Sequence, residues 1–317
     1  MTDTHKTPVC ILGLGLIGGS MLRALDASGR RTFGYNRSAA TVEAAVEAGH
    51  DASTDITATL RRASDTGAMI VLATPVTTIE PIVSAIAEHA PDCLLTDVIS
   101  VKVPVAETIR RLFPDARYVG GHPMAGTSRS GWEATDPQLF TGAMWMVTTE
   151  DTTDADDWRQ VAELALTLGA AVVPAAPDAH DRAVAAISHV PHLTAAATAA
   201  VGAAESDLAL RLAAGSFRDG TRVAGTAPEL QRAMIEANSI AVLNALSEII
   251  DRLTAARDEL RDHGTVAVLI DDGYRARLAY EAMADASRET ITGTAPGEPG
   301  WQQEMRRQAH HGAVWLG

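Results

Sequence analysis

The 317-residue sequence contains little cysteine, few aromatic residues and a deficit of positive charge. Its two cysteines, Cys10 and Cys93, lie in short apolar runs, which predicts buried packing thiols and argues against a disulfide framework or a cysteine metal site. A formal net charge of −14 excludes the broad positive surface that nucleic acids and anionic membranes attract. An anionic ligand must therefore be bound by a few positively charged side chains close to its site.

A leader-like segment and long apolar runs are absent too. The start, MTDTHKTP, shows no basic stretch followed by an apolar core, and no uninterrupted apolar run is long enough to cross a bilayer. We therefore expect a soluble, cytoplasmic protein with no nucleic-acid or membrane partner. A hydrophobic fraction of 46% is enough to build a sizeable core in two domains.

Two sequence patterns divide the chain. From Pro8 to about Glu150, short apolar runs alternate with helical stretches, which is typical of a parallel sheet covered on both faces. Beyond Asp154 the sequence is rich in alanine and leucine at helical spacing. The predicted fold is α/β, with a doubly wound parallel sheet over residues 7–152, an all-helical domain over residues 153–291 and a tail over residues 292–317.

A glycine-rich turn follows the first predicted strand. In GLGLIGGS, the pattern G-x-G-x-x-G provides a tight turn, a close approach for a pyrophosphate and close packing of the next helix. A strand before it, and a helix and a second strand after it, supply the context that this fingerprint requires. We predict a Rossmann-type dinucleotide site that includes Gly13, Leu14, Gly15, Leu16, Ile17 and Gly18.

The end of the second predicted strand reads GYNRSAA. An NAD site usually has an acidic residue here for the ribose 2′-hydroxyl, but this chain has Asn36, followed by Arg37 and Ser38. Cationic and hydroxyl donors favour the 2′-phosphate of NADP, although asparagine can also bond an unphosphorylated ribose. Thr74 and Pro75 end the third strand and are predicted to lie along the dinucleotide.

A single histidine stands in the sequence GGHPMAGTSRSG, just past another apolar run. Its small neighbours predict that His122 is left bare because a substrate and a cofactor lie against it. Ser100 follows the preceding strand, and ligands of open α/β sheets bind beyond the carboxyl ends of the strands. We expect both side chains to face one crevice, with Thr127 as a further substrate contact.

The helical half carries a polar cluster in HDRAVAAISHVPH. Asp181, Ser188 and His192 recur near helical spacing, and Pro191 is expected to kink the helix. We predict no metal site, because no cysteine is near and a proline separates His189 from His192.

A Gly- and Ser-rich loop, SFRDGTRVAGT, follows further along. Arg218 and Arg222 in this acidic chain suggest capture of a carboxylate, and the alternative is an internal ion pair with Asp219.

Five separated motifs occur in this chain order: GLGLIGGS, DVISVK, GGHPMAGTSRSGW, HDRAVAAISHVPH and FRDGTRVAGT. Together they resemble the prephenate and arogenate dehydrogenases of tyrosine biosynthesis, and the resemblance runs from about Val9 to about Leu260. It implies a Rossmann domain joined to a helical domain that forms a homodimer. The implied reaction is the oxidative decarboxylation of a cyclohexadienol with NAD(P).

The same resemblance implies roles for individual residues. His122 would accept the proton of the ring hydroxyl, and Ser100 would bond that hydroxyl or the histidine. Arg222 would bind a substrate carboxylate, and His192 would contact the substrate side chain, with Ser188 in the same motif. A neutral histidine suits proton removal near pH 7, and the chemistry needs no metal.

The sequence departs from the family pattern at two points, and two other functions share some of its features. Asn36 replaces the acid usual for NAD, and the residues after His263 show no pattern for a regulatory βαββαβ module. A β-hydroxyacid or imine reductase also joins a Rossmann half to a helical half, but β-hydroxyacid enzymes typically use a lysine on an interdomain helix. This chain has only Lys6 and Lys102, and neither lies in the helical half. A dinucleotide sensor without turnover would not need Ser100, His122, His192 and Arg222 together.

Overall fold

The computed structural model of the protein describes residues 7–126 and 129–317. They form two compact units. The first contains the described part of Met1–Asp181 together with Gly225–Ala237 and Thr290–Gly317, and the second contains Arg182–Ala224 and Asn238–Glu289. The strands lie in the first unit, and the second is helical.

The bounds of the elements are as follows. The strands are β1 Val9–Leu12, β2 Thr32–Tyr35, β3 Ala52–Ser53, β4 Met69–Leu72, β5 Leu95–Asp97, β6 Gly121–Pro123, β7 Met144–Thr148 and β8 Ala171–Ala175. The α-helices are α1 Leu16–Ala27, α2 Ala39–Glu47, α3 Ile56–Thr66, α4 Ile79–His89, α5 Val103–Leu112, α6 Ala155–Thr167, α7 Pro177–Val184, α8 Val190–Glu205, α9 Asp207–Leu212, α10 Gly215–Thr221, α11 Pro228–Ala237, α12 Ser239–His263, α13 Ala267–Asp285 and α14 Trp301–His310.

Five parallel strands form the main sheet in the order β3-β2-β1-β4-β5. The central strand β1 is completely buried because apolar clusters cover both faces of the sheet. Val9 and Ile11 belong to one cluster, and Cys10 and Leu12 belong to the other. This alternation confirms the predicted doubly wound sheet. The strand order reverses between β1 and β4, so the carboxyl ends of these two strands flank the switch point where such sheets bind ligands.

A smaller, mixed sheet has the order β6-β7-β8. The short run at residues 117–121, which precedes His122, is divided between the two sheets. Its first part runs alongside β5, where the Val119 N–H donates to the Leu95 carbonyl at 3.0 Å, and then the chain crosses so that the Thr148 N–H donates to the Gly120 carbonyl at 2.9 Å. His122 therefore lies in β6, just after the crossing.

The glycines before His122 have a packing reason. A Cβ on Gly120 would lie 2.7 Å from the Tyr118 hydroxyl, and a Cβ on Gly121 would lie 2.8 Å from the Asp97 carbonyl oxygen. Both distances are shorter than real Cβ atoms adopt. We expected these small residues to make room for a ligand, but at these two positions the protein itself fills the space.

Segments that follow the predicted boundary at residues 152–153 also pack with the first unit. They include α6, β8 and residues 290–317. In the last segment, the rings of Trp301 and Trp315 contact Trp158 at centroid distances of 5.4 and 5.1 Å. Trp315 also exchanges two backbone hydrogen bonds with Val172 of β8, so the segment covers the edge of the small sheet. The domain limits 7–152, 153–291 and 292–317 stay a prediction.

The helical stretch Pro177–Glu205 is continuous but irregular. A π-helical turn, Ala185–His189, joins α7 to α8, so the 3.6-residue period on which the shared face of Asp181, Ser188 and His192 was predicted is interrupted. Pro191 is the second residue after the π-helical turn, and because proline has no N–H it cannot supply the helical hydrogen bond back to that turn.

By length and composition the same stretch could cross a membrane, because the mean hydropathy of its most apolar window is 1.3. We had expected no segment of this kind, because the sequence has no uninterrupted apolar run long enough to cross a bilayer. Alanine and valine raise this mean although polar residues interrupt the run. Helices that bury an apolar face against protein reach the same values, and this stretch buries His180, Asp181 and His189.

Candidate active site

The three fingerprint glycines have different structural reasons. Gly13 has a φ of 107°, and a Cβ there would lie 2.6 Å from the Ala73 carbonyl oxygen. A Cβ on Gly18 would lie 1.9 Å from the Gly13 carbonyl oxygen, so close packing of α1 requires glycine. A Cβ on Gly15 would meet nothing within 4 Å. Gly15 is the residue before α1, whose N-terminus has no side-chain cap, and this open, uncapped helix start fits a pyrophosphate.

The turn is tied to the end of β2. The Leu14 N–H donates to Asn36 Oδ1 at 3.1 Å, while the Leu14 side chain is fully buried in the core. Leu16 and Ile17 are half-buried and form the first turn of α1. The backbone of the turn, and not its leucine side chains, is therefore what a dinucleotide would meet.

The residues predicted to select the cofactor lie just beyond β2. Arg37 is exposed, and Ser38 is the N-cap residue just before α2, where its Oγ accepts the Thr41 N–H at 3.3 Å. That capping bond leaves the Ser38 hydroxyl hydrogen available to donate. Asn36 uses its carbonyl oxygen to hold the glycine turn, so its amide N–H groups are what it can offer to a ribose.

Thr74 and Pro75 follow β4 on the other side of the switch point. The Ala73 N–H donates to the Leu12 carbonyl at 2.8 Å, which extends the β1–β4 pairing to this turn. The Thr74 Oγ1 is buried and has no hydrogen-bond partner among residues 7–126 and 129–317. A hydroxyl in that state can donate to a ligand that lies along the turn.

His122 is half-buried and is held by a second histidine. Its Nδ1 lies 2.8 Å from Nε2 of His180, and Nδ1 of His180 lies 2.8 Å from Oδ1 of Asp181. Burial lowers the pKa of His180, which favours the neutral imidazole. Ser100 is half-buried and follows β5. Thr127 lies outside the described residues.

A buried charged cluster underlies the strand that carries His122. Lys102 is completely buried, and its Nζ donates to Asp97 and to the carbonyl oxygen of Gly121, the latter at 2.6 Å. The Tyr118 hydroxyl donates to Asp97 Oδ2 at 2.6 Å, and the Ile99 N–H donates to Oδ1 at 2.8 Å. Burial lowers the pKa of Lys102, and the neighbouring carboxylates oppose this shift. The cluster fixes the backbone next to His122.

The predicted substrate contacts from the helical half lie in the second unit. His192 is half-buried in α8, and its Nδ1 has no hydrogen-bond partner in the described part of the chain. Ser188 is half-buried in the π-helical turn, and Arg222 is exposed in a short turn after α10. Asp219 pairs with Arg218 at 3.3 Å, so the predicted internal ion pair forms with that arginine.

Sequence reasoning missed the buried charges and the role of His180. Asp97, Lys102 and Tyr118 were not selected, although Lys102 is the only lysine in the described residues and occurs in the DVISVK motif with Asp97. Such a rare residue type inside a motif was the signal available. His180 and Asp181 were assigned to a polar helix face, whereas their side chains join His122 to a backbone anchor.

Comparison with known proteins assigns both parts of the chain. A family described as "Prephenate dehydrogenase, nucleotide-binding domain" matches residues 21–174, and "Prephenate dehydrogenase, dimerization domain" matches residues 176–268. A prephenate dehydrogenase from Bacillus subtilis (strain 168) is 32% identical over 264 residues, which make up 80% of this chain and 70% of that protein.

Solved structures agree with this assignment. A candidate prephenate dehydrogenase from Corynebacterium glutamicum ATCC 13032 is 45% identical, with a TM-score of 0.92 and 98% coverage of both chains. Prephenate dehydrogenase from Aquifex aeolicus, solved with hydroxyphenyl propionate and NAD+, is 26% identical, with a TM-score of 0.79, over 88% of this chain and 99% of that chain. The protein is thus a dehydrogenase that uses a nicotinamide dinucleotide. With its nucleotide-binding and dimerisation domains both matched, the chain belongs to the prephenate dehydrogenase family, the oxidoreductases of tyrosine biosynthesis.

Proposed function

We propose that this enzyme converts prephenate to 4-hydroxyphenylpyruvate by oxidative decarboxylation, with His122 as the base. The observation that carries the proposal is the place of His122 just past a segment parallel to β5, with Nδ1 held by the buried His180. The names of the Bacillus and Aquifex relatives support prephenate as the substrate. Arogenate, which would give tyrosine directly, is the alternative.

The residues have separate roles in the proposed reaction. The bound nicotinamide supplies the hydride acceptor. His122 takes the hydroxyl proton as the carbinol C–H gives up its hydride, and Ser100 bonds the same hydroxyl or the histidine. The carboxylate is then lost as carbon dioxide, and its bonding electrons complete the aromatic ring. Arg222, His192, Ser188 and Thr127 bind the substrate, and an arginine that holds a carboxylate must not overstabilise its charge as that bond breaks.

NADP is the proposed cofactor, ahead of NAD. The exposed Arg37 and the Ser38 hydroxyl can bond a 2′-phosphate, and no carboxylate stands at position 36 to repel it. The turn Gly13, Leu14, Gly15, Leu16, Ile17 and Gly18, with Asn36, Thr74 and Pro75, would hold the rest of the dinucleotide. The cytoplasm is the proposed location of this biosynthetic reaction.

One assay tests the function and the cofactor together. The protein is incubated with prephenate or arogenate and with NADP+ or NAD+, and the absorbance of the reduced nicotinamide is followed. We expect the highest kcat/KM with prephenate and NADP+. Turnover of arogenate alone would reassign the substrate, and a higher kcat/KM with NAD+ would reject the NADP preference. Absence of turnover with both substrates would reject the proposed function and leave a sensor or a different reductase.

Arg222→Ala is expected to raise the KM for substrate and leave the KM for cofactor nearly unchanged. A charge-assisted hydrogen bond contributes about 1.5–3 kcal/mol, so the KM should rise by roughly 10- to 100-fold. Steady-state kinetics with each ligand varied in turn measure this. Arg218→Ala is the matched control, because Arg218 is an exposed arginine of the same segment that pairs with Asp219. Equal effects on both KM values would place Arg222 at the cofactor or in the fold.

A homodimer formed by the second unit is the proposed assembly. The dimerisation-domain match covers residues 176–268, and large apolar side chains are exposed on α12 and α13, among them Ile240, Leu243, Val268 and Ile270. Monomeric proteins rarely expose so many apolar side chains on neighbouring helices. Light scattering at micromolar concentration should give twice the mass of the 33.3 kDa chain, and the mass of one chain would reject the proposal.

A further inference from the structure

Hydrogen bonds connect His122 through His180 and Asp181 to the backbone at the start of α5. His180 and Asp181 are 5% and 3% exposed. Oδ1 of Asp181 accepts the Lys102 N–H at 2.8 Å and faces Nδ1 of His180 at 2.8 Å, and Oδ2 accepts the Val103 N–H at 2.8 Å. Both backbone donors lie at the start of α5.

The two backbone N–H donors fix which atom donates and which accepts in each of the following hydrogen bonds, from Asp181 to His180 and from His180 to His122. Each oxygen of Asp181 accepts a backbone N–H, which is the contact that a carboxylate makes at the start of a helix, and the oxygens of a carboxylate only accept. The Nδ1 of His180 must then carry the hydrogen that it gives to Asp181. A neutral imidazole with hydrogen on Nδ1 has its lone pair on Nε2, and the burial that lowers the pKa of His180 keeps it neutral.

The same logic extends to His122. Because Nε2 of His180 is an acceptor, Nδ1 of His122 must carry the hydrogen of the 2.8 Å bond between the rings. The lone pair of neutral His122 is then on Nε2. We propose that His180 and Asp181 are positioning residues, which fix the tautomer of His122 so that Nε2 is the basic nitrogen. This inference rests on the proposed role of His122 as the base.

The arrangement also serves the protonated state. When Nε2 takes the substrate proton, His122 becomes an imidazolium whose Nδ1–H still donates to His180. His180 in turn donates to the Asp181 carboxylate, which stabilises the new positive charge without taking a proton itself. The proton therefore remains on Nε2, where it can return to the product oxygen.

The tautomer can be read directly by nitrogen NMR. The whole enzyme is labelled with ¹⁵N-histidine and studied at alkaline pH, and the His122 signals are assigned by their loss in His122→Asn. We expect the wild-type ring to carry hydrogen on Nδ1 and a lone pair on Nε2. The opposite tautomer would overturn the inference, whichever substrate the enzyme turns over. Loss of the proposed function would show separately, as absent turnover by the wild-type enzyme.

His180→Phe tests the catalytic consequence. The variant keeps a ring of similar size but removes the acceptor for the Nδ1 hydrogen of His122, so this contact no longer disfavours the tautomer with hydrogen on Nε2. We expect kcat to fall by roughly 10²- to 10⁴-fold with the KM for cofactor nearly unchanged, and the His122 nitrogen signals to move. His310→Phe, at an exposed histidine of α14, should change neither. An unchanged kcat in His180→Phe would overturn the positioning role. If that variant does not fold, the wild-type tautomer still decides.

Discussion

His122→Asn is expected to lower kcat by roughly 10²- to 10⁴-fold, the usual contribution of general acid–base catalysis. Asparagine preserves much of the polarity and size of the side chain, but it cannot take a proton near neutral pH. His122 lies in β6, whereas the glycine turn follows β1, so cofactor affinity should change little. Stopped-flow kinetics of nicotinamide reduction and fluorescence titration of the reduced cofactor measure the two quantities.

The matched control for this variant is His89→Asn. His89 ends α4 in the same unit and pairs with Glu88 at 3.7 Å. It should keep the wild-type kcat. Turnover of His122→Asn within a few-fold of wild type would remove His122 from the role of base, and a parallel loss of cofactor affinity would indicate a damaged fold.

Lys102→Met is expected to lower the free energy of unfolding of the first unit by about 3–5 kcal/mol. The substitution leaves the completely buried Asp97 carboxylate without its cation, and the Gly121 carbonyl without the Nζ donor. The five tryptophans all lie in the first unit, so urea unfolding followed by tryptophan fluorescence reports on that unit.

An exposed ion pair provides the control for this second prediction. Arg111→Met removes the partner of Glu80 on the surface, where both side chains are more than half exposed. Arg111→Met should change the free energy of unfolding by no more than about 1 kcal/mol, because water already solvates both charges. If Lys102→Met were as mild as Arg111→Met, Asp97 would have to be neutral or hydrated when its cation is lost.

Much of the main sheet could be predicted because its strands are fully buried. The runs around β1 and β4 are continuously apolar, which parallel strands require when helices cover both faces. Strand β3 was missed because it has only two residues, Ala52 and Ser53, neither of them strongly apolar. The division of residues 117–121 between two sheets depends on close contacts of Gly120 and Gly121 with other segments, and local sequence does not report such contacts.

The candidate site was predicted as residue types and not as bonds. His122 and the glycine turn stand in motifs whose chemistry follows from local order alone. The link from His122 to His180 joins residues 58 positions apart, and the link from Asp181 to Lys102 joins residues 79 positions apart. Whether residues so far apart in the sequence form a hydrogen bond depends on how the strands and α7 pack together. Composition and motif spacing do not determine that packing. The predicted roles of Ser100, His192 and Arg222 therefore stay predictions for the kinetic tests.

The segment that covers β8 also sets an order of events during synthesis. The ribosome completes β8 at Ala175, but the chain that supplies Trp301 and Trp315 follows only after the whole of the second unit. At typical translation rates this interval is on the order of ten seconds. During that time the nascent chain exposes the edge of β8 and the ring of Trp158, a surface that invites pairing with other chains. The contacts of Trp158 with Trp301 and Trp315, and the pairing of Trp315 with Val172, can therefore form only after residues 290–317 have left the ribosome.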